Sequence, residues 1–139
     1  MLKLRIFVFV LSAVSCAPVR APFEGQWTIE LRSEISEVVV ATCNMLLKPF
    51  SEGSTRIAGT WTCNQPSGVT PIVGNSGQVI GQYGETTEGR VALVVLNSYP
   101  AQPGFKMDFY AAFSGNSLNG EMNVSGVTGD DLILSGSRN

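Results

Sequence analysis

The chain has 139 residues, nine Lys or Arg against eleven Asp or Glu, no histidine, and 14% charged residues. That length favours one domain, and the slightly acidic balance argues against nucleic acid, whose binding needs a basic stripe. Without histidine the chain lacks the commonest metal ligand and general base at neutral pH, so it reads as a non-catalytic module with no cofactor and no metal.

Residues 1–15 have the layout of a secretory signal peptide. Lys3 and Arg5 supply a positive start, Ile6 to Val14 an apolar core, and Ala13, Ser15 and Ala17 the small residues of a cleavage region. The apolar run is far short of the ~20 residues a spanning helix needs. Residues 16–22 read as a short tether, and 23–139 as the folded domain. Cleavage before Cys16 leaves seven basic against eleven acidic residues, a net charge of −4.

Beyond Pro22 the chain breaks into eight short runs: Phe23–Leu31, Val38–Lys48, Arg56–Asn64, Gln78–Gly84, Arg90–Ser98, Lys106–Phe113, Leu118–Ser125 and Asp131–Ser137. Turn residues such as Ser51-Glu52-Gly53, Asn75-Ser76-Gly77 and Ser114-Gly115-Asn116 separate them. Regular short strands with such punctuation predict an all-β fold. The spacing across Leu31–Val40 also allows a single helical turn around Ser33 to Glu37. In "KMDFYAAFS", Met107, Phe109, Ala111 and Phe113 share one face, the period-two pattern of a half-buried antiparallel strand. A weak repeat, "FEGQWT", "IAGTWT", "VIGQYG" and "LNGEMN", sets an apolar residue, a glycine and a second large apolar residue at i, i+2 and i+4. Glycine within a strand marks a bend, a bulge or a close backbone approach. The expected architecture is a single antiparallel β-barrel of about eight strands in up-and-down order. Its interior is either packed or a cavity lined by Trp27, Met45, Trp61 and Tyr83.

Cys43 and Cys63 fall in neighbouring runs. A hairpin turning near Gly53 sets Cys43 opposite Cys63, Met45 opposite Trp61 and Leu47 opposite Gly59. The register that buries the apolar faces therefore brings the two sulfurs together. In an exported protein this predicts a Cys43–Cys63 disulfide. Cys16 is left over and needs a separate explanation.

The run "RVALVVLNS" is apolar on both faces, so one set must cover something besides the interior. Ala92, Val94 and Leu96 are assigned here as a patch for a protein partner, with a covering loop as the alternative. Glu85/Glu88 and Asp130/Asp131 lie in expected turns and match no calcium loop. Asn123-Val124-Ser125 is a formal glycosylation sequon.

Ser12-Ala13-Val14-Ser15-Cys16, after a charge-free apolar run, resembles the lipobox of bacterial lipoproteins. The resemblance implies that Cys16 is lipidated, becomes the first mature residue and tethers the chain to a membrane. Ala17 after the cysteine implies an outer-membrane lipoprotein facing the periplasm or the cell surface. Ala13-x-Ser15 also suits ordinary signal peptidase, so a secreted or soluble periplasmic form is the alternative. Gly25-x-Trp27, then Cys43 and Cys63, then the closing "LILSGSR" (Leu132–Arg138) resemble the small bacterial barrel inhibitors of secreted metalloproteases and their lipoprotein relatives. In a general way the chain is also similar to lipocalins and avidins, the calycin group. These resemblances imply a lipid-anchored envelope barrel that binds a protein partner, in the manner of a protease inhibitor. Those inhibitors act through a free amino-terminal arm that reaches the protease zinc, a mode that an acylated Cys16 forbids. The alternatives are a carrier of a small apolar ligand and a structural envelope lipoprotein.

Overall fold

The computed structural model describes residues 19–64, 76–86, 89–98, 106–125 and 131–139; for 85–86, 89–98, 106–107 and 124–125 it describes the backbone alone. The strands are β1 (Gly25–Ser33), β2 (Val39–Pro49), β3 (Arg56–Asn64), β4 (Ser76–Thr86), β5 (Gly89–Ser98), β6 (Lys106–Ser114), β7 (Ser117–Ser125) and β8 (Leu132–Arg138). Each pairs antiparallel with its sequence neighbours, and β1 also pairs with β8. The result is an all-β antiparallel sheet curled into a barrel-like form. No helix occurs among the described residues.

Period-two alternation decides which way the sheet curls. Trp27, Ile29 and Leu31 on β1, Cys43, Met45 and Leu47 on β2, and Ile57, Trp61 and Cys63 on β3 are all buried. Phe109, Ala111 and Phe113 on β6, Leu118 and Met122 on β7, and Leu132 and Leu134 on β8 complete one apolar core. Burying a large aliphatic or aromatic side chain contributes about 1.5–3 kcal/mol, so this face outweighs any single polar contact in the fold. The outer face of β1 to β3 is mostly polar, with Gln26, Arg32, Thr42, Asn44, Arg56 and Thr60 all exposed. A membrane-spanning barrel has the reverse arrangement, apolar outside and polar within.

The β2–β3 ladder has the expected register: Cys43 opposes Cys63, Met45 opposes Trp61, and Leu47 opposes Gly59. The two sulfurs form a disulfide. The repeated glycine has its physical reason in the neighbouring strands. A Cβ at Gly59 would overlap the carbonyl oxygen of Leu46, and one at Gly120 the carbonyl oxygen of Tyr110. Both positions mark close backbone approach, as expected.

The stretch Leu31–Val40 holds a single turn around Ser33 to Glu37 that does not extend into a helix: β1 continues to Ser33, β2 begins at Val39, and residues 34–38 connect them. The amide of Ser33 donates to the carbonyl of Val38, that of Glu37 donates to the carbonyl of Ser33, and Glu37 sits at φ 56°. The Ser33 hydroxyl oxygen accepts from the amide of Ser36 at 3.2 Å, the local side-chain bonding through which serine favours turns. Beyond the turn, the β1–β2 register shifts between Leu31 and Arg32, and the consecutive residues Val40 and Ala41 are both buried. A bulge of this kind adds a residue to one strand and breaks the alternation locally.

Candidate functional site

The up-and-down order gathers the start of β1, the β2–β3 and β6–β7 turns and the carboxyl terminus at one end of the curled sheet, here called the floor. The N-terminal segment crosses it. Phe23 is buried at 1% exposure and packs against Tyr83, their ring centroids 5.3 Å apart. Phe113 meets Trp27 edge-on at 5.2 Å and Tyr83 at 6.5 Å. Four aromatic rings therefore close the floor, in the tilted and edge-to-face geometry that ring quadrupoles favour.

Hydrogen bonds hold the segment in place. The Trp27 indole N–H donates to the carbonyl of Phe23 at 2.8 Å. The Glu24 amide donates to the carbonyl of Ala21 at 2.9 Å, and the Ala21 amide donates back to the Glu24 carboxylate at 3.3 Å. Arg138, from the end of β8, stacks on Trp27 and donates from Nη2 to the carbonyls of Pro22 and Gly115. The expected tether, residues 16–22, thus ends in a portion that belongs to the folded domain.

Beside this segment lies a cleft of about 830 Å3. Its walls are residues 19–24, Lys48 and Pro49 at the end of β2, turn residues 51–55, and Tyr83. Arg20, Glu24, Lys48 and Glu52 bring two positive and two negative charges to it.

Of the four expected cavity residues, all face inward and all are buried: Trp27 at 0%, Met45 and Trp61 at 1%, and Tyr83 at 9% exposure. The ladders set Trp27, Met45 and Trp61 in one row across β1, β2 and β3. Only Tyr83 borders the floor cleft. Met45 and Trp61 border a smaller hollow of about 250 Å3 on the polar side of the same strands, with Asn44 and Thr60. Two polar atoms of this set have no hydrogen-bond partner, the Trp61 indole nitrogen and the Tyr83 hydroxyl.

The expected partner patch, Ala92, Val94 and Leu96, lies outside the residues whose side chains are described, and only the backbone register of β5 is given. Ala92 opposes Tyr83 and Ala111, Val94 opposes Gly81 and Phe109, and Leu96 opposes Val79 and Met107. Directly opposed residues share a face of the sheet, so these positions take the inward register of buried Tyr83, Phe109 and Val79. Val91, Leu93 and Val95 take the register of exposed Ile80 and Tyr110. A run apolar on both faces has no internal signal for which face turns in, and neighbouring strands decide it.

Cys16 lies outside the described residues. Among the described residues no group of three His, Cys, Asp or Glu side chains is placed to hold a metal ion. Sequence reasoning missed the plug formed by Phe23 and the latch formed by Arg138. Both lay next to the Gly25-x-Trp27 and Leu132–Arg138 stretches, but neither has a periodic signal. No protein-family model, curated protein or solved structure matches this chain.

Proposed function

We propose that the chain is a non-catalytic, lipid-anchored barrel of the bacterial envelope, held at the outer membrane through Cys16, that binds a protein partner. In this reading the curled sheet is a closed up-and-down barrel of eight strands, which the β1–β8 ladder supports. The observation that carries the tether is the pinned N-terminal segment. Five Cα–Cα steps lead from Cys16 to Ala21, so the chain reaches at most about 18 Å between them. Acyl chains on Cys16 would hold the floor towards the bilayer and turn the Ser33–Val39 end away from it. Two or more such chains are needed for stable anchoring.

The partner reading draws support from the outer face. Leu46, Ile80, Tyr110 and Ile133 are strand residues between 43% and 51% exposed on a largely polar surface. Protease inhibition through a free arm does not suit the floor geometry, because the arm is held from Ala21 onward. An inhibitor of this shape would act through the outer face or the far end.

A second reading, a carrier of a small apolar ligand, is favoured by the partnerless Trp61 and Tyr83 atoms in an apolar interior. A structural envelope role is the third reading.

The anchor is tested by the mass of the amino-terminal peptide from the native host. A diacyl- or triacyl-modified Cys16 is expected; an unmodified thiol, or Cys16 paired with Cys43 or Cys63, overturns it. The partner is tested with a photo-crosslinking residue at Tyr110 in the native envelope. A defined protein adduct lost in Ile80→Asp is expected, and a crosslink pattern indifferent to that change counts against the face. Inhibition of any member of a secreted-protease panel would specify the partner.

A further inference from the structure

We propose that the floor of the curled sheet rests on a phospholipid bilayer, with Val19 and Phe50 entering the headgroup and upper acyl region. The proposal rests on the lipid-anchor reading of Cys16 and adds the side chains through which the folded domain itself meets the membrane. The three most exposed large apolar side chains among the described residues are Val19 at 99%, Ile35 at 78% and Phe50 at 65%. Two of them stand at the floor. Val19 lines the floor cleft, as do Pro49 and Ser51 on either side of Phe50. Ile35 stands at the opposite end, between β1 and β2. Three Cα–Cα steps lead from Cys16 to Val19, a reach of at most about 11 Å. Acyl chains on Cys16 therefore keep Val19 within reach of the headgroup layer.

Hydrogen bonds fix the turn that carries Phe50. Its amide donates to the carbonyl of Arg56 at 2.9 Å, the Ser54 amide donates to the carbonyl of Ser51 at 3.0 Å, and the Tyr83 amide donates to the carbonyl of Thr55 at 2.8 Å. The ring is thus presented outward before any contact forms, which lowers the ordering cost of docking. The Arg56 guanidinium lies over that ring, 5.1 Å from its centroid. A ring paired with a cation suits a membrane interface, where acyl carbons meet the ring and a phosphate meets the guanidinium. Charge favours the floor over the far end. Arg20, Lys48 and Arg56 stand with Val19 and Phe50, against Glu24 and Glu52. Around Ile35 stand exposed Glu34, Glu37 and Asp131, against Arg32. A phosphate-bearing surface attracts the first set and repels the second.

The test reads bilayer entry by tryptophan quenching. Each variant is made in the native host and held on vesicles of phosphatidylglycerol and brominated phosphatidylcholine in equal parts. Its own acyl chains hold it where the mass of the amino-terminal peptide shows them. Where they are missing, the Cys16 thiol is coupled to a maleimide-bearing phospholipid, so failure of the anchor and failure of the floor contact are read separately. Trp27 and Trp61 are buried and supply a shielded background in every variant. Phe50→Trp and Val19→Trp are each expected to lose most of the emission they add. Ile35→Trp at the far end and Tyr110→Trp on the outer face are expected to keep theirs. Quenching at position 35 or 110 in place of 50 overturns the proposal, because another surface then faces the bilayer. Quenching at position 19 alone, which the tether by itself would produce, also overturns it. Quenching at none of the four leaves the floor open to a protein partner and overturns it as well.

Discussion

Arg138 lies over the indole of Trp27, its guanidinium carbon 4.7 Å from the ring centroid, and joins the last strand to the first at the floor. The same side chain donates to the carbonyls of Pro22 and Gly115, so it also fastens the N-terminal segment and the β6–β7 turn. A cation over an aromatic face contributes about 0.5–2 kcal/mol and each hydrogen bond from a charged donor about 1.5–3. Arg138→Leu is expected to lower unfolding stability by about 2–4 kcal/mol on these grounds. Arg138→Lys should recover under half of that, because an ammonium neither stacks as a plane nor forks its donors. Urea unfolding followed by tryptophan fluorescence measures both, and a lysine variant equal to wild type would count against the latch.

The disulfide between Cys43 and Cys63 closes a sequence separation of 20. A loop of that size corresponds to about 3 kcal/mol in the chain-entropy account. The Cys43→Ala, Cys63→Ala double variant is expected to lose about that much in urea, without change in the β2–β3 amide register. A single variant, which frees the partner thiol, should additionally form covalent dimers on non-reducing gels under oxidising conditions.

Gly59 and Gly120 face backbone carbonyls rather than flexible side-chain ends. The neighbouring strand cannot yield without breaking its own ladder. Gly59→Ala and Gly120→Ala are each expected to cost about 3 kcal/mol or more, well above the usual cost of a small-to-large change in a core. Gly53→Ala, at a turn with φ 72° and open space around it, should cost about 1 kcal/mol. Thermal unfolding of the three variants orders them.

The Tyr83 hydroxyl offers a test of opposite sign. Without a partner, its removal relieves a desolvation penalty of about 1–3 kcal/mol. Tyr83→Phe is therefore expected to leave stability unchanged or raise it by up to about that amount when no ligand is bound. A clear loss, measured by calorimetry on ligand-free protein, would show that the hydroxyl has a partner in solution.

Positions 94 and 95 separate the two faces of β5. Val94 takes the register of buried Phe109, and Val95 that of Asp108 and exposed Ile80. Val94→Asp is expected to cost several times more stability than Val95→Asp, since position 94 shares its register with buried Phe109 and a carboxylate set among such residues is an unpaired charge. Comparable losses at the two positions would mean that the β5 register is shifted by one.

Much of the architecture is legible along the chain. The strands fall within two residues of the runs read from alternation and turn residues, from Arg56–Asn64, which coincides with β3, to Gly25–Ser33, displaced by two. The Cys43–Cys63 register follows from the same period-two rule, because burying Met45, Leu47 and Trp61 together leaves one alignment. Local chemistry carries this information: side-chain alternation and turn propensity are properties of neighbouring residues.

The site is another matter. Ala92, Val94 and Leu96 look identical in pattern to Val91, Leu93 and Val95, and only pairing with β4 and β6 separates them. The single turn at Ser33 to Glu37 could have opened a helix or closed a hairpin, and the pull of the β1–β2 ladder decided it. Phe23 reads as the start of a strand but serves as a plug, and Arg138 lies more than a hundred residues from the tryptophan it covers. By itself the sequence determined strands, turns and the disulfide register, because each depends on spacing within one or two elements. The register of β5, the aromatic floor and the cleft beside it were decided by the tertiary structure alone. They arise where residues distant in the chain share one apolar interior, and no local period encodes that meeting.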